Sequence, residues 1–295
     1  MSNKNQHTIQ LIECPRDAMQ GWPHAIATVD KIRYLNSLLK VGFHSLDFGS
    51  FVSPKAIPQM ADTALVLAGL DQTLLAKNRL LAIVANLRGA TTAMMHPAIQ
   101  YIGFPFSLSP TFQLRNTNSS MEQSLETVRQ IQLMCLSNNK ELVLYLSMGF
   151  GNPYGDEYHA AMLLDWTERM VKMGIGIISV ADTVGVASSQ QIQAALANLV
   201  LRFPETVIGV HLHSIQSNFQ DKLKAALDGG CQRIDGALKG IGGCPMAQDQ
   251  LVGNMDTLAI INFLKTRGMD PILNEIALSE AITIADQIFD STLNA

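Results

Sequence analysis

Short apolar runs alternate with stretches of helical period along the whole chain, and this alternation restricts the fold more than any other feature. Strand segments cover residues 8–12, 43–48, 80–85, 99–104, 142–146, 175–180 and 207–210, and an eighth, more polar one covers 231–235. Between them the spacing predicts helices over about 28–40, 56–70, 91–96, 119–135, 157–173, 188–202 and 218–227. Two further helices, about 255–266 and 274–289, complete the chain. The helix near 119 opens with a capping-box pattern, Ser119-Ser120-Met121-Glu122. Strands that are apolar on both faces and joined through helices belong to a parallel sheet. Eight of them suit a closed (β/α)8 barrel of the TIM type, which needs about 250 residues. An open doubly wound sheet fits less well, because no glycine-rich nucleotide fingerprint follows the first strand. No linker or low-complexity segment interrupts the 295 residues. The expectation is therefore an α/β chain with one barrel domain over 1–295 and a helical tail from about 255.

With 47% hydrophobic and only 16% charged residues, the chain can bury a large core. Its positive mean hydropathy is explained by buried strands, since no apolar run approaches the roughly 18 residues of a spanning helix. A net charge of −4 without a basic cluster argues against nucleic acid or an anionic membrane as partner. Residues 1–7 show no apolar signal segment, and the four cysteines, Cys14, Cys135, Cys231 and Cys244, show no CxxC spacing. Reduced thiols and a cytoplasmic location are the expectation.

The chemistry-bearing residues cluster at predicted strand ends, which is where a barrel of this kind builds its active site. Arg16, Asp17, Asp47, Asp182, His211 and His213 all lie at or just beyond such ends. His211 and His213 are two apart on a strand, so both rings project to one face. Taken alone, the pair fits a hydrogen-bonded core pair as well as a metal site; its place at the end of the seventh strand favours metal. Asp17 adds an anionic oxygen, and Asn254 is either a turn residue after Gly253 or a neutral oxygen ligand. A set of imidazole, carboxylate and amide without thiolate favours Mg²⁺ or Mn²⁺ over structural zinc. Arg16 reads either as a strand-end salt bridge or as a clamp on developing oxyanion charge. Cys244 lies in Gly240-Ile241-Gly242-Gly243-Cys244-Pro245, a run too rich in glycine for a buried strand and suited to a loop over a substrate.

These motifs resemble the hydroxymethylglutaryl-coenzyme A lyase family. Pro15-Arg16-Asp17-Ala18-Met19-Gln20 is similar to its PRDGLQ. The segment Ser50-Phe51-Val52-Ser53-Pro54-Lys55 is similar to its SFVSPK, Asp182-Thr183-Val184-Gly185-Val186 to its DTIGV, and Gly242-Gly243-Cys244-Pro245 to its cysteine loop. The resemblance implies metal ligation by Asp17, His211, His213 and Asn254. It implies catalytic roles for Arg16, Asp47, Asp182 and Cys244, and substrate contacts for Arg16 and Gln20. The implied reaction is retro-Claisen cleavage of 3-hydroxy-3-methylglutaryl-CoA to acetyl-CoA and acetoacetate, with Asp182 or a histidine as base. A homodimer acting on an acyl-CoA is the implied assembly. Some positions depart from the pattern. Asp47 stands where Glu is usual, Ser214 replaces an Asp after the histidines, no basic residue follows Gln20, and Val143 or Leu144 stands in place of an arginine in the fifth strand. The alternatives are a lyase for another hydroxyacyl thioester or hydroxy acid, a condensing synthase, or a non-catalytic relative.

Overall fold

Eight parallel strands close into a barrel in sequence order, each hydrogen-bonded to the next and the last to the first. They are β1 (Gln10–Glu13), β2 (Ser45–Ser50), β3 (Leu80–Ile83), β4 (Ile99–Ser107), β5 (Glu141–Ser147), β6 (Ile177–Asp182), β7 (Val207–Leu212) and β8 (Arg233–Gly236). The computed structural model describes residues 9–243 and 252–290. Every strand segment read from the sequence becomes a strand, and the predicted (β/α)8 architecture holds.

Alternation along each strand divides the buried residues into two sets. Leu80, Ala82, Ile102, Leu144, Ile178 and Val210 face outward into the large core beneath the surrounding helices. Leu81, Tyr101, Val143, Tyr145 and Ile177 form a separate apolar cluster inside the barrel. On the opposite arc the inward positions are polar. Ser179, Gly209, Arg233 and Gln10 stand side by side in register across β6, β7, β8 and β1. Gly209 is required there: a Cβ at that position would come within 2.8 Å of the Arg233 Cβ and 3.1 Å of its Cδ.

The connections differ from the periodic reading in ways that matter to the site. A short helix, Pro15–Gln20, follows β1 almost at once, with proline in its first turn, where its missing N–H leaves no bond unmade. The predicted helix over 56–70 breaks into a 3₁₀ turn, Pro58–Met60, and the helix Thr63–Ala68, and a further short helix, Gln72–Leu75, follows it. β4 runs three residues past its predicted end and leads into an unpredicted helix, Pro110–Thr117. The capping box of the next helix is set one residue later than expected, with Ser120 as cap and Gln123 as its partner. After β8 the chain reaches the helices Thr257–Thr266 and Glu275–Ile288. The second of these packs on the helix Thr28–Leu39 beside β1.

Candidate active site

Asp17 sits in the first turn of the helix Pro15–Gln20, at the carboxyl end of β1 and only 5% exposed. Its Oδ1 accepts from Arg16 Nη1 at 2.8 Å and from Gln20 Nε2 at 3.0 Å. Its Oδ2 accepts from Asn254 Nδ2 at 2.7 Å and lies 3.9 Å from His211 Nε2. Burial alone would push this carboxyl up, but the Arg16 guanidinium, the His211 imidazole and the Asn254 hydrogen bond outweigh it and hold it at about 2.

The neighbouring strands fix both histidines by their Nδ1 atoms. His211 Nδ1 lies 3.2 Å from Asp235 Oδ2 on β8. His213 Nδ1 lies 3.0 and 2.9 Å from the carbonyl oxygens of Asp182 and Thr183, just past β6. Carbonyl oxygens only accept, so His213 carries its proton on Nδ1, and Nε2 holds a lone pair. That Nε2 is buried and has no hydrogen-bond partner among the described residues. One ligand atom from each of Asp17, His211 and His213 falls within 4.8 Å of the other two. A buried, unpartnered imidazole nitrogen beside a second imidazole and an ionised carboxylate fits a divalent cation. Burial pushes the His211 ring towards neutrality, but the bond to Asp235 and the Asp17 charge outweigh it and leave the ring more basic than usual. His213 is pushed down by burial and then by His211.

Arg16 bridges two carboxylates. Besides Asp17 it grips Asp47 on β2, through Nε at 3.0 and 3.1 Å and through Nη2 at 2.5 Å. Burial disfavours its charge, yet Asp47 and Asp17 outweigh that and hold the guanidinium protonated. Of its five N–H groups, three are spent on these bonds, and one remains on each terminal nitrogen.

Most of the sequence-derived site residues therefore meet at one end of the barrel. Arg16, Asp17, Gln20, Asp47, His211, His213 and Asn254 form one connected cluster. Asn254 pairs with His213 in an isolated antiparallel bridge, which brings the segment after β8 to the site. Its amide nitrogen faces Asp17 and the Ile241 carbonyl, so its oxygen would have to turn inward to act as a ligand. Gln20 is occupied with Asp17, so the structure gives it a part in holding that carboxylate. Asp182, the candidate base, lies at the end of β6 with its carboxylate already engaged. Its Oδ2 accepts from Lys222 Nζ at 2.7 Å, and the Ala187 N–H lies 3.1 and 3.2 Å from its two oxygens. The carboxyl is 1% exposed. Cys244 lies outside the described residues.

Three contributors escape the motif reading: Asp235, Arg233 and Lys222. Arg233 Nε lies 3.5 Å from Asp235 Oδ1 and its Nη2 lies 3.5 Å from the Tyr145 hydroxyl. The Tyr145 ring meets His211 edge-on at 5.9 Å. Two charges two apart in an otherwise apolar strand are a signal for an inward-facing pair. A lysine on the apolar face of the helix Phe219–Asp228 is a weaker one.

Comparison with known proteins fixes the family. The HMGL-like family model matches residues 9–288. The chain belongs to the HMGL-like family. This HMGL-like chain is 33% identical over 251 residues to the hydroxymethylglutaryl-CoA lyase YngG of Bacillus subtilis, covering 85% of this chain and 83% of that one. It is 28% identical over 288 residues to the cytoplasmic 3-hydroxy-3-methylglutaryl-CoA lyase of Rattus norvegicus, with 97% and 83% covered. Among solved structures it is similar to an HMG-CoA lyase from Acinetobacter baumannii in complex with coenzyme A and 3-methylmalate. The TM-score there is 0.89 at 26% identity, over 100% of this chain and 97% of the other. For the Bacillus subtilis HMG-CoA lyase the TM-score is 0.88 at 30% identity, over 95% and 93%.

Proposed function

We propose that this HMGL-like chain is a carbon–carbon lyase that cleaves 3-hydroxy-3-methylglutaryl-CoA to acetyl-CoA and acetoacetate at a divalent-metal site. The observation that carries the reading is the free Nε2 of His213 beside His211 and Asp17, with each Nδ1 already held by a neighbouring strand or the chain just past it. Asp17, His211 and His213 would hold the cation, with the Asn254 carbonyl as fourth donor. Oxygen and imidazole donors favour Mg²⁺ or Mn²⁺. When bound, such a cation polarises the oxygens it meets and lowers the pKa of a hydroxyl.

The chain's own part is charge and placement. Transfer of the C3 hydroxyl proton to the base that the motifs imply, Asp182 or a histidine, lets the C2–C3 bond break, giving acetoacetate and leaving the electron pair on the thioester enolate of the other fragment. The two N–H groups left on Arg16 supply a fixed cation for that enolate oxygen. Asp47 and Asp17 prevent the guanidinium from moving, so little reorganisation accompanies the charge as it forms. A proton returned to C2 completes acetyl-CoA, and in this reading it comes from the Cys244 thiol, as the resemblance implies. Asp47, one carbon shorter than the usual Glu, acts through Arg16. A homodimer and a cytoplasmic location belong to the same proposal. No helix among the described residues is long and apolar enough to cross a membrane.

The test is acetoacetate release from 3-hydroxy-3-methylglutaryl-CoA with and without Mn²⁺, alongside Asp17→Ala and Cys244→Ala. Metal-dependent turnover, lost in Asp17→Ala and reduced about a hundredfold or more in Cys244→Ala, is expected. Absence of turnover in protein that binds Mn²⁺ would remove this substrate and favour another hydroxyacyl thioester. The missing basic residue after Gln20 is the observation that would then count.

A further inference from the structure

We propose that Lys222 is a positioning residue of the metal site and that Asp182 serves as its counter-ion rather than as the base of the reaction. The inference rests on the lyase reading above. Lys222 projects from the helix Phe219–Asp228 and is 2% exposed. Its ammonium has three protons and three acceptors: Asp182 Oδ2 at 2.7 Å, the His213 carbonyl at 2.9 Å and the Gly185 carbonyl at 3.0 Å. No donor is left over. One side chain thus ties the end of β6, the turn after it and the end of β7 to a single point.

His213 is held from both sides by this bracket. Its main-chain carbonyl is bonded to Lys222, and its ring donates to the carbonyls of Asp182 and Thr183. The free Nε2 that would meet the cation is aimed by these bonds. A residue at 214 able to pair with the ring is therefore not needed, and Ser214 is accommodated. The Asp182 carboxylate points into the same bracket, where Lys222 and the Ala187 N–H occupy it. To take a substrate proton it would have to release a buried ammonium, and breaking one side of a buried pair is costly.

A double-mutant cycle separates the two roles. Lys222→Met, Asp182→Asn and the double variant are compared for Mn²⁺ dissociation constant, for kcat and KM with Mn²⁺ bound, and for thermal midpoint without metal. Each single change is expected to weaken Mn²⁺ binding by about 10–100-fold, the usual effect of losing a partner that orients a ligand. The double variant, with no unpaired charge, is expected to recover about tenfold or more in both Mn²⁺ affinity and kcat. If the double variant binds Mn²⁺ like wild type but keeps the kcat loss of Asp182→Asn, Asp182 is the base and the proposal fails. It also fails if Lys222→Met lowers only the thermal midpoint. Should a single variant not fold, the double variant decides: wild-type Mn²⁺ binding with kcat down about a thousandfold or more overturns the assignment. Should wild-type protein bind Mn²⁺ yet not cleave 3-hydroxy-3-methylglutaryl-CoA, the substrate reading fails and the Mn²⁺ arm still tests Lys222.

Discussion

Glu13 offers a prediction whose size can be worked out. It lies on the outer face of β1, fully buried. Its Oε1 accepts from the Leu238 N–H at 2.8 Å and its Oε2 from the Thr257 hydroxyl at 2.5 Å. These two residues flank the segment that carries Cys244 and Asn254, so Glu13 fastens both ends of it to the barrel. Burial pushes the carboxyl from 4.5 up to about 8, against both hydrogen bonds. The folded protein therefore holds a proton here that the unfolded chain releases above 4.5. Stability from this group is fully present below pH 4.5 and is lost as pH rises through about 8. At about 1.4 kcal/mol per pH unit, that interval corresponds to about 5 kcal/mol at most. Glu13→Gln keeps an oxygen for Leu238 and presents an N–H to the Thr257 oxygen, but cannot ionise. Denaturant midpoints of the two proteins should be compared from pH 5 to pH 9. They should converge at the acid end, with wild type falling increasingly below the variant towards pH 8. Parallel curves, or a variant weaker at every pH, would show that Glu13 is an anion in the fold and refute the reasoning.

Asp235→Asn should weaken Mn²⁺ binding by about 10–100-fold in a calorimetric titration, because His211 loses an anionic partner that only accepts, and an amide that can also donate no longer fixes its tautomer. Arg16→Lys should lower kcat by about a hundredfold or more in the acetoacetate assay while leaving Mn²⁺ affinity nearly unchanged. An ammonium cannot span Asp47 and Asp17 and still present N–H groups to an oxyanion. Gly209→Ala should destabilise the barrel by about 1–3 kcal/mol in chemical denaturation, since the added methyl meets the stem of Arg233.

What the sequence made legible follows from the range of its signals. Most strands are announced by their own apolar runs, and eight strand segments with helices between them leave few arrangements other than a closed barrel. His211 and His213 declare a shared face by their spacing, and strand-end placement brings Asp17 to them. The partners that set those rings are another matter. Asp235 lies 24 residues from His211, and its contact depends on how β7 and β8 are registered. The Lys222–Asp182 pair spans 40 residues and depends on how one helix settles over two strand ends. No local period encodes either, so Asp182 reads as a free strand-end carboxylate until the ammonium beside it is seen. The helix Pro15–Gln20 was hidden for a different reason: six residues are too few to show a helical period.

In the proposed lyase both imidazoles and the Asp17 carboxylate bind one cation. The most direct measurement is pulsed electron paramagnetic resonance of Mn²⁺ added to the protein, which detects nitrogen bonded to the metal. Coupling from two imidazole nitrogens is predicted, reduced to one in either His211→Ala or His213→Ala, with tight binding lost in Asp17→Ala. Tightly bound Mn²⁺ without nitrogen coupling, or coupling unchanged when both histidines are replaced, would contradict the account.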